Sequence, residues 1–548
     1  MRGGSYAAGF VTYEAAGAFG LPVRDHTVGL PLLAFGIFDS DNVDALHRPP
    51  RGRDVALGEW TPSISHGQYR HAIAAIKSYI QAGDTYQINF TFRLEAPFDG
   101  DEFGLMRMVY VAQRGRWSAY IDTGDHVICS ASPELFYRVH GGRIVCRPMK
   151  GTWPRGYWPA QDDARGEVLR SSEKNRAENV MIVDMVRNDL GRVASTGSIQ
   201  VASLFDVERY PLQWQMTSTV EAALSHPTLD RLFEAMFPCG SITGAPKRRS
   251  MEIIRELEST PRGVYTGAIG YISPHGRSHF SVAIRTVVVD RERKLASFGV
   301  GSGIVWDSVD RDEYDECVLK ARVISDGSGA FAHGRGSASY VIDDPPGFRL
   351  LETLLWTPDR GFVLLERHLL RLRGSAECFG FACDIDEVRR LLTDAVQDLR
   401  GPAKLRVLLE DDGDVLCEAV DLVAIAEPVR IALAREPVAR DDVFLYHKTT
   451  NRDVYERARA SRPDADAVIL WNEAEEITEA TESNVVVLRD GVKVTPPIEA
   501  GLLPGTLRAE LLESGEIVEG RITREELSAA GEIWLINSVR GWMQARLR

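Results

Sequence analysis

Five residues of this 548-residue chain have the type and setting to do chemistry: Glu134, Lys150, Glu178, Glu316 and Lys448. Glu178 lies in EKNRAENVMIVDMVRNDLG (173–191), which predicts a helix ending at Gly191. It shares a face with Ile182 and Met185, four and seven residues on. A carboxylate on an apolar stripe is costly unless a cation or metal pairs with it. Glu316, in DRDEYDECVLKARVIS (310–325), lines up in the same way with Leu319, Lys320 and Val323. Two inward carboxylates on two helices suit Mg²⁺, which prefers oxygen ligands. Spacing alone also fits, and more often means, a structural salt bridge for each. Lys150 in RPMKGTWPRG and Glu134 in ASPELFYRV read by themselves as a solvated lysine and a turn residue. Lys448 in LYHKTTNRDVYERARA precedes a predicted helix and by itself reads as surface. GSITGAPKRRS (240–250) reads as a loop entering a helix, where backbone N–H groups can receive an anion. GxxxxGK[ST] is absent, so it is no Walker loop. Gly299, Gly301 and Gly303 form a GxGxG string, but residues 304–306 continue as strand, which disfavours a dinucleotide turn. Close approach of a ligand to strand backbone fits better.

The elements that must position these groups are legible in outline. Tyr69, Ile73, Ile76 and Ile80 recur at helical spacing before Gly83, a glycine C-cap. QINFTFRLEAPF (87–98), FSVAIRTVVVD (280–290) and LASFGVGSGIVW (295–306) each predict a strand. KLRVLLEDDGDVLCEAVDLVAI (404–425) predicts two strands about a turn at 411–413. Residues 324–347 are rich in Gly, Ser, Ala and Pro and read as a linker. The expected division is 1–325, a linker over 326–345, and 346–548, each folded part being α+β. With 64 basic and 78 acidic residues the net charge is −14, against a general binder of nucleic acid or anionic membrane. Local Arg and Lys clusters still permit anionic small substrates. The hydrophobic share of 44% and charged share of 26% are those of a soluble globular chain. No apolar run approaches a membrane span, and MRGGSYAAGF has no signal pattern. Seven scattered cysteines without a CxxC pair argue against a zinc site or disulfides and for reduced thiols in the cytoplasm.

Eight motifs of the first part occur in a familiar order: GDTYQINFT (83–91), SPELF (132–136), RPMKGT (147–152), AENVMIVDMVRNDLGRV (177–193), GSITGAPK (240–247), GVYTGAIGYI (263–272), AIRT (283–286) and GVGSGIVWDSVDRDEYDECVLKA (299–321). The set resembles the chorismate-utilising enzymes, most closely the aminodeoxychorismate synthase component I branch. The resemblance implies an antiparallel sheet-and-helix domain. It implies that Glu178 and Glu316 ligate Mg²⁺, which holds the ring carboxylate of chorismate. Tyr265 and Arg285 would hold the pyruvyl carboxylate with the backbone at Gly301 and Gly303, and Ser241 and Lys320 would join the substrate contacts. Glu134 would be the general acid at the departing C4 hydroxyl. Lys150 would be the nucleophile that adds to C2, before ammonia enters at C4 and expels it. Anthranilate synthases usually carry Ala where Lys150 stands, and isochorismate and salicylate enzymes carry a water-activating Lys where Gln87 stands. Lys at 150 with Gln at 87 therefore implies amination at C4. Gln215 stands where many relatives have His. Relatives also have many residues before the segment matching AAGFVTYEAA, so the chain is expected to begin late. Cys239 in FPCGSI lacks a glutaminase elbow and reads as a buried small hydrophobe. Ammonia is then expected from a separate glutamine amidotransferase subunit or from free ammonium.

In the second part, ERHLLRLRGSAECFGF (366–381), ITEATESNVVVLRDG (477–491), LLPGTLR (502–508) and INSVRGW (536–542) accompany Lys448. Glu479 and Thr506 stand 27 residues apart. The set resembles the fold-type IV pyridoxal-phosphate family, which includes branched-chain and D-amino-acid aminotransferases and 4-amino-4-deoxychorismate lyase. It implies pyridoxal 5′-phosphate bound through Lys448, with Glu479 at the pyridine nitrogen. Arg371, the backbone at Thr506 and Leu507, and Ser538 would hold the phosphate. The family is commonly dimeric, so a homodimer is a possibility. LLETLLW and NSVRGW look more lyase-like than transaminase-like. Together the halves imply a bifunctional enzyme making 4-aminobenzoate, a folate precursor. The alternative is an anthranilate-type synthase joined to a transaminase-like domain.

Overall fold

The computed structural model describes residues 4–25, 29–44, 55, 57–113, 115–210, 213–225, 228–321, 324, 348–420, 422 and 425–548. Val323 and the side chain of Leu319, aligned above with Glu316, lie outside the described residues, as does almost all of the 324–347 linker. The chain divides into two compact units, 1–155 with 165–343, and 156–164 with 344–548. Residues 156–164 thus group with the second unit, which the sequence division at 325 does not anticipate.

In unit one the helix His66–Gln81 buries Tyr69, Ala72, Ile73 and Ile76. Ser65 and Gln68 close its start as a capping box, and Gly83 follows at φ +80°. Strand Gln87–Pro97 pairs along its length with Leu295–Ile304. These two run at the centre of a seven-stranded antiparallel sheet with Gly244–Ala245, Thr286–Asp290, His126–Ser132 and Trp117–Asp122 in the path and Thr61–Pro62 beside Gln87–Pro97. A nine-stranded antiparallel sheet contains Leu135–His140, Ser278–Val282 and Gln213–Ala223, with Met149–Pro154 paired to the last. Residues 280–290, read from sequence as one strand, are two. Ser278–Val282 lies in the larger sheet and Thr286–Asp290 in the smaller. Arg285 marks the crossing at φ +53°, a left-handed conformation that non-glycine residues seldom adopt. Both segments bury apolar side chains, so local alternation carries no mark of the change of sheet.

Helix Glu173–Leu190 lies on Met149–Pro154 and Gln213–Ala223, burying Ile182, Val183, Val186 and Leu190. Ser172 accepts the N–H of Asn175 at its start. Helix Asp310–Ala321 lies on Leu295–Ile304. These two helices thus lie on different sheets, and each carries one of the carboxylates singled out above.

Unit two holds a four-stranded antiparallel sheet ordered Gly361–Phe362, Leu350–Thr357, Ala403–Leu409, Val415–Val420. The last pair flanks the predicted turn at 411–413. Its second sheet has eight strands and is mixed, with Val429–Leu433 parallel to both Ala467–Trp471 and Gly541–Leu547. Helices Leu365–Phe379 and Ile385–Ala395 cover the smaller sheet through Leu369, Leu372, Val388 and Leu392.

Candidate functional site

In unit one, side chains from both sheets and both helices enclose a cavity of about 140 Å³, bounded by Glu134, Lys150, Glu178, Tyr265, Arg285 and Glu316. Ser241, Gln215, Gly301, Gly303 and Lys320 also line it. Lys150 comes from strand Met149–Pro154. A Cβ on Gly303 would stand 2.4 Å from Lys150 Nζ and 2.7 Å from Gln87 Nε2, so the missing side chain lets both groups meet there. The alternate glycines share one face of the strand. The space above Gly299 is taken by the Tyr265 ring, 2.2 Å from where its Cβ would be. The glycine string read from sequence as a place for ligand backbone contact thus first makes room for the chain's own Tyr265, Lys150 and Gln87. Gln87 is fully buried, and neither atom of its amide has a hydrogen-bond partner among the described residues.

Glu134 is 2% exposed and accepts a 2.6 Å hydrogen bond from Ser241 Oγ at Oε1. Cys239 Sγ stands 3.9 Å from the same oxygen and is buried. Burial pushes the Glu134 carboxyl up to about 7 against the opposing pull of Ser241, the Lys150 charge and the Met149 N–H. Burial likewise raises Glu178, opposed by Lys150 and Lys174 and assisted by Glu316 and Glu313. Burial acts upward on Glu316 too, but the charge and 2.6 Å contact of Lys320 hold it below its ordinary value. Lys320 Nζ also donates to Gly301 O at 2.8 Å. Arg285, 6% exposed, is brought down to about 10 by burial, while Tyr265 and Glu316 pull it back up. It donates to the carbonyl of Lys320. Tyr265 is raised by burial and carries the Arg93 guanidinium 4.8 Å above its ring.

The helix start in 240–250 takes a different place from the one expected. A short 3₁₀ turn, Gly240–Ile242, supplies Ser241 to the site, and the helix itself spans Lys247–Leu257. Lys247 turns to Asp189 at 2.6 Å and the Met236 carbonyl at 2.9 Å, and no residue of that first turn lines the cavity. For a metal, Glu178 and Glu316 offer carboxylate oxygens from two helices that both line the cavity. Among the described residues no group of three or more metal-binding side chains is assembled. Mg²⁺ needs only one or two protein carboxylates when substrate oxygens and water complete its shell, so the donor set fits. Glu313 accepts from Ser302 and, at 2.6 Å, from Ser308, and is committed to the fold.

In unit two a cavity of about 400 Å³ is lined by Arg371, Lys448, Glu479, Thr506 and Ser538. Burial lowers Lys448 to about 8, with Arg371 adding to the effect, so this is no solvated surface amine. Its carbonyl accepts from Leu351 N–H at 2.9 Å. Glu479 is 3% exposed; Oε1 accepts from Tyr455 OH at 2.7 Å and Leu503 N–H at 3.1 Å. Burial raises it to about 7 against those two bonds. Thr506 and Leu507 open helix Thr506–Glu513. Leu507 puts its side chain into a neighbouring apolar cluster, leaving only its backbone for a ligand. A Cβ on Gly505 would fall 2.0 Å from Asn484 Oδ1, which explains glycine before the helix.

Glu352 and His368, packed behind this site, were not singled out in the sequence. Glu352, 2% exposed, accepts from Arg371 Nε and Nη2, both at 2.8 Å, and sits 2.6 Å from His368 Nδ1. His368 Nε2 meets Ser538 Oγ at 3.0 Å and Thr506 Oγ1 at 3.2 Å. Burial raises Glu352, but Arg371 and His368 outweigh it and hold the carboxyl far below the usual range. Both residues stand in strings quoted above, LLETLLW and ERHLLRL, and an inward carboxylate opposite an inward histidine was the available signal. Arg371 gives a third N–H to the Pro504 carbonyl at 3.2 Å, leaving two of its five donors for an anion. A half-buried amine of lowered pKa, a buried carboxyl and a helix start with hydroxyls and guanidinium fit pyridoxal phosphate.

The family model for chorismate binding enzyme matches residues 35–326, and that for amino-transferase class IV matches 349–547. The chain is similar to aminodeoxychorismate synthase component 1 of Klebsiella aerogenes, 38% identical over 344 residues, covering 58% of this chain and 76% of that protein. The Salmonella typhimurium protein of the same name is 42% identical over 323 residues, covering 54% and 70%. Among solved structures, anthranilate synthase component I from Streptococcus pneumoniae superposes with a TM-score of 0.52 at 30% identity, covering 59% of this chain and 81% of that one. The chain belongs to the chorismate binding enzyme family and carries an amino-transferase class IV domain after it.

Proposed function

We propose that the chain makes 4-aminobenzoate in two steps, amination of chorismate at C4 in unit one and elimination of pyruvate in unit two. The observation that carries this reading is that each unit sets a lysine amine beside a buried carboxyl whose pKa burial brings to about 7, Lys150 with Glu134 and Lys448 with Glu479. The relatives' shared name supports the first step, and the class IV domain supports the second.

In the first step Arg285 and Tyr265 would bind the pyruvyl carboxylate, and Glu178 and Glu316 would hold Mg²⁺. The metal would neutralise the ring carboxylate when bound. Glu134, near 7, keeps a proton to give to the C4 hydroxyl, which leaves as water. Lys150 Nζ forms its bond to C2 as that C–O bond breaks. Ammonia then bonds to C4, the C2–N bond breaks, and the lysine amine is regenerated. Gln87 has no proton-accepting amine to activate water, which favours amination over hydration. The ammonia would come from a separate glutamine amidotransferase subunit, as the designation component 1 of the relatives suggests.

In the second step pyridoxal phosphate would supply an electron sink for loss of the C4 ring proton. Lys448 would hold the cofactor and then move protons, and Glu479 would hold the proton at its ring nitrogen. Arg371, Ser538 and the N–H groups of Thr506 and Leu507 would receive the phosphate. Release of pyruvate leaves an aromatic ring, which drives the reaction forward. The test separates the steps. Lys150→Ala should abolish amination of chorismate by ammonium while leaving turnover of supplied 4-amino-4-deoxychorismate intact. Loss of both activities in a folded variant, or C4 amination that survives, contradicts the reading.

A further inference from the structure

The segment 156–164 precedes the linker in sequence yet is part of unit two. It is a built element. Pro159 begins helix Pro159–Ser171, the position where its missing N–H costs nothing. Gln161 Oε1 reaches back 2.8 Å to the N–H of Tyr157, and Asp162 Oδ1 reaches 2.8 Å to that of Gly156. Tyr157 and Trp158 both stack on Tyr446, at 5.6 and 5.2 Å between centroids. The Tyr157 carbonyl lies 2.9 Å from His447 Nε2. A carbonyl can only accept, so Nε2 carries the proton. Nδ1 on the other side of the ring lies 2.9 Å from Ser375 Oγ. His447 is 3% exposed, and Lys448 is the next residue.

Gly374 lies inside helix Leu365–Phe379, where glycine costs about 1 kcal/mol relative to alanine. A Cβ there would fall 2.8 Å from Pro159 Cγ. The glycine makes room for the segment.

We propose that 156–164 is a positioning element of the lysine site in unit two, with Tyr157, Trp158 and His447 fixing the backbone that presents Lys448. This rests on the reading of unit two as a pyridoxal-phosphate site. None of the three touches the cavity around Lys448. They act on Lys448 through Tyr446 and through the bond from His447 to the Tyr157 carbonyl. The expected consequence of loosening them is a displaced amine. Misplacement on the order of 1 Å lowers catalysis by up to about 100-fold.

The test uses the full-length chain with Trp158→Ala, Trp158→Phe and His447→Asn. Three readouts apply: kcat and KM on supplied 4-amino-4-deoxychorismate, the pH midpoint of the absorbance band of bound pyridoxal phosphate, and the melting temperature without cofactor. Trp158→Ala and His447→Asn should lower kcat at least tenfold with KM within twofold, and should shift the spectral midpoint. Trp158→Phe, which keeps a stacking ring, should restore both. If kcat and the midpoint match the parent while only the melting temperature falls, the positioning role is overturned. A fall that Phe does not restore also overturns it. If Trp158→Ala fails to fold, Trp158→Phe and His447→Asn still decide. Absence of a cofactor band in the parent protein would instead defeat the reading of unit two, an outcome distinct from either.

Discussion

Replacing Glu134 by Gln should raise stability and remove the first activity together. The carboxyl is 2% exposed, and burial lifts it from 4.5 to about 7. A raised carboxyl pKa means that the folded chain binds more protons than the unfolded chain between these values. Stability therefore falls as pH rises from about 4.5 to about 7 and stays low above it. At about 1.4 kcal/mol per pH unit the penalty reaches about 3 kcal/mol at pH 8. A glutamine keeps the oxygen that accepts from Ser241 at 2.6 Å and has no charge to desolvate. Denaturant unfolding of unit one at pH 5 and pH 8 measures the effect. The variant should be more stable than the parent by about 3 kcal/mol at pH 8 and about equal at pH 5. Its amination of chorismate should fall by two to four orders of magnitude, about what a positioned general acid contributes. Equal stability at both pH values would refute the buried, proton-holding carboxyl. Full activity in the variant would refute its role as acid.

Gly303→Ala should place a methyl against Lys150 Nζ and Gln87 Nε2 and lower amination about 100-fold, with little change in melting temperature; unchanged amination would remove Lys150 from the reacting position. Glu352→Gln should leave Arg371 buried without its carboxylate, destabilise unit two by about 3–5 kcal/mol, and weaken cofactor affinity in a fluorescence titration. Equal affinity would show that the Glu352–His368–Arg371 cluster is structural only. In the cofactor-free chain Lys448 should react with an amine-specific reagent with a midpoint near pH 8, since burial lowers it from 10.5. A midpoint at the ordinary lysine value would place it in solvent.

The two sites differ in how much of them the sequence disclosed. Helical spacing marked Glu178 and Glu316 as inward carboxylates that need a partner, and for Glu316 Lys320 is one, 2.6 Å away; their reading as metal ligands came only from the resemblance. Lys150 and Lys448 carried no such mark and became legible only through resemblance, since a lysine's surroundings are set by strands and loops distant in sequence. Arg285 illustrates the limit on fold. Residues 280–290 form one nearly continuous run of apolar and β-branched residues, yet the chain changes sheet at that arginine. Gly299 and Gly303 signalled close approach correctly but not what approaches, which is the ring of Tyr265 and the end of Lys150. Glu352 and His368 were overlooked because each looks unremarkable alone. Their 2.6 Å contact spans sixteen residues and depends on a helix lying over a strand.

The central claim is that unit one directs nitrogen to C4 and unit two removes pyruvate from the product. The direct measurement is product analysis after incubating the purified chain with chorismate, ammonium, Mg²⁺ and pyridoxal phosphate. 4-Aminobenzoate and pyruvate in equal amounts, with 4-amino-4-deoxychorismate accumulating when the cofactor is withheld, is the predicted result. Formation of 2-aminobenzoate would contradict it.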